Sequence, residues 1–162
     1  MVANSDYRHD SRVQKEALAL LQAGYSVTVL SLTRPGPREQ DFAGVRVLNP
    51  TTGRMSWFPG RTVNLRAYRQ ILQGLLREGG EIWHAHDLEM LPFAYFASRV
   101  RGGKLVYDSH ELWHGYDWPG RGGRWRAARR LLWKSWLALE RVLAKRCHLV
   151  ITVSESCARS MA

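Results

Sequence analysis

At 162 residues with 45% hydrophobic content, the chain is long enough for one domain with a real core and too short for two of ordinary size. A formal net charge of +10 and a pI near 10.3 point to an anionic partner: a membrane surface, a phosphate-bearing substrate or nucleic acid. No apolar run approaches the roughly 18 residues needed to span a bilayer, and residues 1–4 lack the features of a signal peptide, so a chain that neither spans nor is exported is expected.

Met1-Val2-Ala3-Asn4 reads as the tail of a strand that has lost its first residues, with a polar loop over 5–10. From Ser11 the apolar positions Val13, Ala17, Leu20 and Leu21 recur at helical spacing, with Asp10 or Ser11 as cap and Gly24 as stop. Residues 25–32 form a strand, giving a βαβ opening. Residues 33–43, with Pro35, Gly36 and Pro37, are loop; 44–48 is a short strand, and 49–60 a second loop holding Trp57 and Phe58. An amphipathic helix is expected over 63–77, with Leu65, Tyr68, Leu72, Leu75 and Leu76 on one face and Gly79-Gly80 closing it.

A strand ending in His84-Ala85-His86-Asp87 follows, then a helix over 88–100, apolar nearly all round, with Pro92 tolerated in its first turn. Gly102-Gly103 precedes the strand Lys104-Leu105-Val106-Tyr107-Asp108, which runs into Ser109-His110-Glu111. Residues 112–123, rich in Trp, Gly, His and Pro, read as a loop over a crevice. The longest helix, 125–146, spans roughly 33 Å at 1.5 Å per residue. The last strand, 149–153, leads into Ser154-Glu155 and a helix cut off at Ala162. The pattern is a Rossmann-like, doubly wound α/β fold, a mainly parallel sheet with helices on both faces, forming one domain over 1–162 truncated at both ends.

Three buried strands thus end in polar clusters, and in such a sheet the carboxyl ends of the strands border one crevice. His84 and His86 share a strand face and so have the spacing of a chelate, but Asp87 follows His86 directly and no further histidine completes a set. Strand-end histidines bonded to backbone or to Asp108 are the expectation, with no metal. His110, between Asp108 and Glu111, suits acid/base work or a bond to a sugar hydroxyl, because imidazole titrates near neutrality and carboxylates fix its tautomer. Gly-rich dinucleotide, P-loop and nucleophile-elbow motifs are absent. Cys147 and Cys157 show no metal spacing and read as buried thiols in a reducing cytoplasm.

Around the long helix, Arg121, Arg124, Arg126, Arg129, Arg130, Lys134, Arg141, Lys145 and Arg146 stand against Glu140 alone. Interleaved with Trp125, Trp133 and Trp136, these cations suit an anionic membrane surface. The expected division is that the C-terminal half packs on the sheet while Arg121, Arg124, Arg126, Arg129 and Arg130 face lipid or phosphate. No zinc finger, RRM or helix-turn-helix pattern accompanies the charge, so no specific nucleic-acid readout is expected.

The segments Asp10-Ser11-Arg12-Val13-Gln14-Lys15-Glu16-Ala17, Gly24-Tyr25-Ser26-Val27-Thr28-Val29, His84-Ala85-His86-Asp87, Tyr107-Asp108-Ser109-His110-Glu111 and Val150-Ile151-Thr152-Val153-Ser154-Glu155, in that order, resemble the N-terminal, acceptor-side domain of GT-B glycosyltransferases of family 4. The resemblance implies retaining transfer of a sugar from a nucleotide-sugar to an acceptor, without a catalytic metal or other cofactor. The donor would be held by a C-terminal domain that this chain lacks, leaving the chain alone with little or no turnover. The resemblance places His110 beside the reacting sugar as the catalytic residue. It places Asn4, Ser5, Asp10 and Arg12 near donor phosphates and acceptor, and His86, Asp87, Ser154 and Glu155 at the cleft. Asp108 and Glu111 would orient His110. In place of the Gly-Gly pair of many members, the first loop here reads Ser5-Asp6-Tyr7-Arg8-His9-Asp10.

The expected function is acceptor binding in a glycosyltransferase acting on a lipid-linked or polysaccharide acceptor of the cell envelope, in the cytoplasm and peripheral at the inner face of the membrane. The alternatives are a GT-B-fold sugar-nucleotide epimerase or phosphorylase, because fold does not fix reaction, and a non-catalytic module for anionic membrane surfaces.

Overall fold

The computed structural model describes residues 1–32, 38–49, 65–110, 126–155 and 158–159. Strand β1 (Val2–Ala3) leads through a 3-10 turn (Tyr7–His9) into helix α1 (Ser11–Gln22). Asp10 caps α1, its carboxylate accepting from the Val13 backbone N–H at 3.2 Å. Val13 and Ala17 are buried on the face turned to the sheet. Gly24 follows the helix with φ +89°, a conformation that costs glycine little.

Strand β2 (Thr28–Ser31) completes the βαβ unit. Strands β3 (Glu39–Phe42) and β4 (Val45–Leu48) then form an antiparallel hairpin. The stretch read as loop over 33–43 therefore holds a strand. Its Glu-Gln-Asp-Phe sequence has no apolar alternation, since it is an exposed edge that needs only backbone pairing. Ala43 and Gly44 turn the hairpin with φ of 53° and 87°, both positive as a tight primed turn requires.

Helix α2 (Leu65–Glu78) buries Ala67, Ile71 and Leu75, a stripe shifted by a residue or so from the expected one. Strand β5 (Ile82–His86), helix α3 (Leu91–Arg101), strand β6 (Lys104–Ser109), helix α4 (Arg126–Ala144) and strand β7 (Leu149–Thr152) follow. Pro92 lies in the first turn of α3, where its missing N–H costs nothing. This helix is not buried all round: Leu91, Ala94 and Ala97 face the core while Phe96 and Val100 face outward.

The strands form one seven-stranded sheet in the order β3-β4-β2-β1-β5-β6-β7, parallel except for β3. One apolar cluster unites Tyr7, Val13 and Ala17 with Val29, Val45 and Val47. The larger cluster packs Ile71 and Leu75 of α2, Leu91 and Ala94 of α3, and Leu143 of α4 against Leu30, Ala85, Leu105 and Tyr107. Alternation along the strands separates these sets, so α1 covers one face and α2, α3 and α4 the other. The chain winds outward in both directions from β1 and β5. The carboxyl ends of these two strands form the switch point at which such sheets bind ligands.

Candidate functional site: a carboxylate and histidine cluster at the sheet switch point

Parallel pairing sets His86 of β5 level with Asp108 of β6, and side-chain alternation puts both on the face covered by α1. His86 Nδ1 lies 3.2 Å from Asp108 Oδ2, with both side chains buried. One residue past the end of β5, Asp87 has φ +67°, and its N–H donates to the Asp108 carbonyl at 3.0 Å. Its carboxylate meets His110 Nε2 at 3.0 Å, while His110 Nδ1 is 3.7 Å from Asp108 Oδ2. From α1, Arg12 stands between Asp10 at 3.6 Å and Asp108 at 3.7 Å. Separations of 3.7 Å are ion-pair contacts, too long for hydrogen bonds.

This arrangement determines protonation. Burial alone would discharge His110, but the carboxylates of Asp108 and Asp87 outweigh it and raise its pKa to about 9. Asp108 is likewise buried, yet His110 and His86 hold it well below the usual carboxylate range. Burial works against Asp10 too, and Ser5, the Val13 N–H and Arg12 lower it nonetheless. At neutral pH the crevice therefore presents an imidazolium held by two carboxylates, beside a guanidinium. Such a group donates hydrogen bonds or stabilises negative charge; it does not serve as a general base.

The expected residues divide into groups. Asp10, Arg12, His86, Asp87, Asp108 and His110 form one connected set. Asn4 donates to Glu89, and the Ser5 carbonyl accepts from Ser31 Oγ at 2.8 Å, so the first loop is tied down beside that set. Ser154 and Glu155 are exposed beyond β7, Glu155 pairing with Arg159 at 3.4 Å within its own segment. Glu111, Arg121, Arg124, Cys157 and the loop over 112–123 lie outside the described residues, as do the side chains of Arg126 and Arg129. Arg130 is exposed on α4. Cys147 is half-buried, and burial raises its thiol pKa to about 11.

Sequence reasoning missed one pairing and two participants. Asp87, expected at the cleft, is also a partner of His110, because a left-handed backbone turns its carboxylate there. Glu140, counted only as the single acid among the basic residues, is 1% exposed and accepts from the Tyr107 hydroxyl at 2.6 Å. Glu16 projects from α1 toward His84 and His86, and with Asp108 these offer four donor groups whose ligand atoms lie within 4.8 Å of one another. The signal for Glu16 was present: it lies three residues after Val13 and four before Leu20, on the apolar stripe itself.

The Glycosyltransferase Family 4 model matches residues 11–162, nearly the whole chain. The chain belongs to Glycosyltransferase Family 4. Two solved structures of sucrose-phosphate synthase from Thermosynechococcus elongatus share the fold. One, at 13% identity and TM-score 0.64, aligns with 96% of this chain and 75% of its own length. The other, at 13% identity and TM-score 0.63, aligns with 85% of this chain, which spans only 35% of that longer protein. No curated protein sequence matches. The family and the Rossmann-like GT-B fold together make this a glycosyltransferase domain, and the connected charged set lies at its switch point.

Proposed function

We propose that this family 4 domain is the acceptor-side half of a retaining glycosyltransferase that moves a sugar from a nucleotide-sugar to a lipid-linked or polysaccharide acceptor. The observation that carries the reading is His110 between Asp87 at 3.0 Å and Asp108 at 3.7 Å, at the strand ends bordering the crevice, where the two carboxylates favour its charged form. Transfer from a nucleotide-sugar builds negative charge on the departing phosphate. A preorganised imidazolium supplies its compensation without reorganising at the moment of reaction. In this reading His110 donates to the donor sugar or orients the leaving phosphate, Asp108 and Asp87 fix the ring, and Arg12 adds a second cation near the phosphates. Asn4, Ser5 and Asp10 line the first loop for the acceptor. A donor-binding domain completes the site, and no metal or other cofactor takes part in the transfer.

In this reading, α4 supports the acceptor class. Its C-terminal half packs through Glu140, Leu143 and Ala144, while Leu131 and Leu132 are 68% and 58% exposed beside Arg130 and Lys134. Apolar residues among cations suit an anionic lipid surface, on which a lipid-linked acceptor would be presented from the cytoplasmic side. Among the described residues no helix is long and apolar enough to cross a membrane, so contact would be peripheral.

The test is transfer from nucleotide-sugars to glycan and prenyl-phosphate-linked acceptors, with the chain joined to a donor-binding domain. His110→Ala should lower kcat by about 100-fold or more, the effect of removing one preorganised donor. Unchanged turnover would remove His110 from the reaction. Product formed from nucleotide-sugar alone, without acceptor, would favour an epimerase instead.

A further inference from the structure

Beneath the crevice, three polar atoms meet without partners. His84 Nε2, His86 Nε2 and Glu16 Oε2 are each buried and make no hydrogen bond. His86 is 0% and His84 7% exposed. Their rings stack, centroids 4.4 Å apart and planes 25° from parallel, with the Nε2 atoms 3.6 Å (His84) and 3.9 Å (His86) from Glu16 Oε2. These gaps are too wide for N–H···O hydrogen bonds. They are within a few tenths of an ångström of the roughly 3.4 Å that a tetrahedral ion with ligands at about 2.0–2.1 Å imposes between ligand atoms.

We propose that Glu16, His84 and His86 form a binding site for one divalent transition-metal ion of the zinc class, which pins α1 to β5. Two imidazoles and a carboxylate make a donor set of intermediate softness, suited to zinc and its neighbours and poorly suited to magnesium or calcium. Asp108 completes the arrangement as an orienting group. Its bond to His86 Nδ1 keeps the proton there and leaves Nε2 with a free lone pair.

The carboxylates of Glu16 and Asp108 lie with the two imidazoles in one cluster whose ligand atoms are within 4.8 Å of one another, an arrangement that favours a cation. Glu16 is partly exposed and opens the route of entry. With the ion bound, α1 is fixed relative to β5, and with it Asp10 and Arg12 over the strand ends. Its role is to position the site, independently of the transfer reaction.

The test is calorimetric titration of the EDTA-treated, desalted full chain with zinc sulfate, repeated with cobalt(II) as a visible probe. Expected are one equivalent bound and cobalt bands of a low-coordinate site. Glu16→Gln or His84→Gln should weaken binding about 100-fold and Asp108→Asn 10- to 100-fold, while His9→Gln leaves it unchanged. Should the variants fail to fold, long-range 1H–15N spectra of the wild-type chain decide the matter. Zinc should shift the Nε2 resonances of His84 and His86 together, at one equivalent. Absence of that shift, or zinc uptake that persists undiminished in the folded triple variant Glu16→Gln/His84→Gln/His86→Gln, overturns the proposal.

Discussion

Asp87 holds a backbone conformation that non-glycine residues avoid, at a cost of about 1–3 kcal/mol, and the return is a carboxylate 3.0 Å from His110. Since the pKa of His110 is raised to about 9, above its unfolded value near 6.5, its charged contacts stabilise the fold fully below pH 6.5. That contribution is lost as pH rises through 9. Urea melts of wild type and His110→Gln should differ by on the order of 1–3 kcal/mol at pH 6 and converge by about pH 10. A gap that is constant with pH would mean that the charge is not what Asp87 and Asp108 hold. Asp87→Asn, which keeps shape and removes charge, should lower the His110 pKa by about a unit in an NMR titration. The partnership of His110 with Asp108 was legible because strand-end residues two apart share a face. The partnership with Asp87 was not, because nothing in the letters His-Asp-Leu announces a left-handed turn. Glu16 was legible and overlooked: a carboxylate on a helix's apolar stripe implies a partner inside.

Regular elements were legible where burial wrote a period into the sequence. Asp10, Val13 and Ala17 define α1 by cap and stripe, and β5 and β6 read as apolar runs because parallel strands are covered on both faces. β3 escaped because an exposed edge strand carries no such period. The Tyr107–Glu140 bond that ties α4 to β6 also escaped, since an acid among nine basic residues gives no sign of its partner. Tyr107→Phe removes a 2.6 Å donor to buried Glu140 and should cost about 1.5–3 kcal/mol in a denaturant melt. A loss below 0.5 kcal/mol would show that the Tyr107 hydroxyl adds little to holding α4 on the sheet. Among the described glycines, Gly103 is the most tightly enclosed. Its φ is +103°, and an added Cβ would fall 2.7 Å from the Glu81 carbonyl oxygen and 2.9 Å from that of Gly80. Gly103→Ala should therefore cost at least about 1–3 kcal/mol from backbone strain, with the clash added. It acts at the start of β6, at the end of the sheet opposite the crevice, so a His110 pKa unchanged in the folded variant is the matching expectation.

Across the whole molecule, charge and fold divide the work. The sheet gathers Asp10, Arg12, Asp87, Asp108 and His110 at one switch point, whereas the basic surplus lies around α4, whose exposed N-terminal half carries Arg130, Leu131, Leu132 and Lys134. If α4 rests on anionic lipid, two contributions add: roughly 1 kcal/mol per basic residue near the surface, and insertion of the leucines. They respond differently to salt. The electrostatic part is screened over about 8 Å at physiological ionic strength and weakens further as salt rises, while apolar insertion does not. Sedimentation with vesicles containing phosphatidylserine should show binding that falls steeply from 50 to 500 mM salt, toward the weak level expected on neutral vesicles. Arg130→Glu/Lys134→Glu should weaken it at low salt, and Leu131→Ser/Leu132→Ser should abolish what remains at high salt. All four positions are exposed, so neither pair should alter the melting profile by more than about 0.5 kcal/mol. Vesicle binding indifferent to salt and to both pairs would leave α4 as a packing helix with a solvated basic face, and would remove the support it gives to a lipid-linked acceptor.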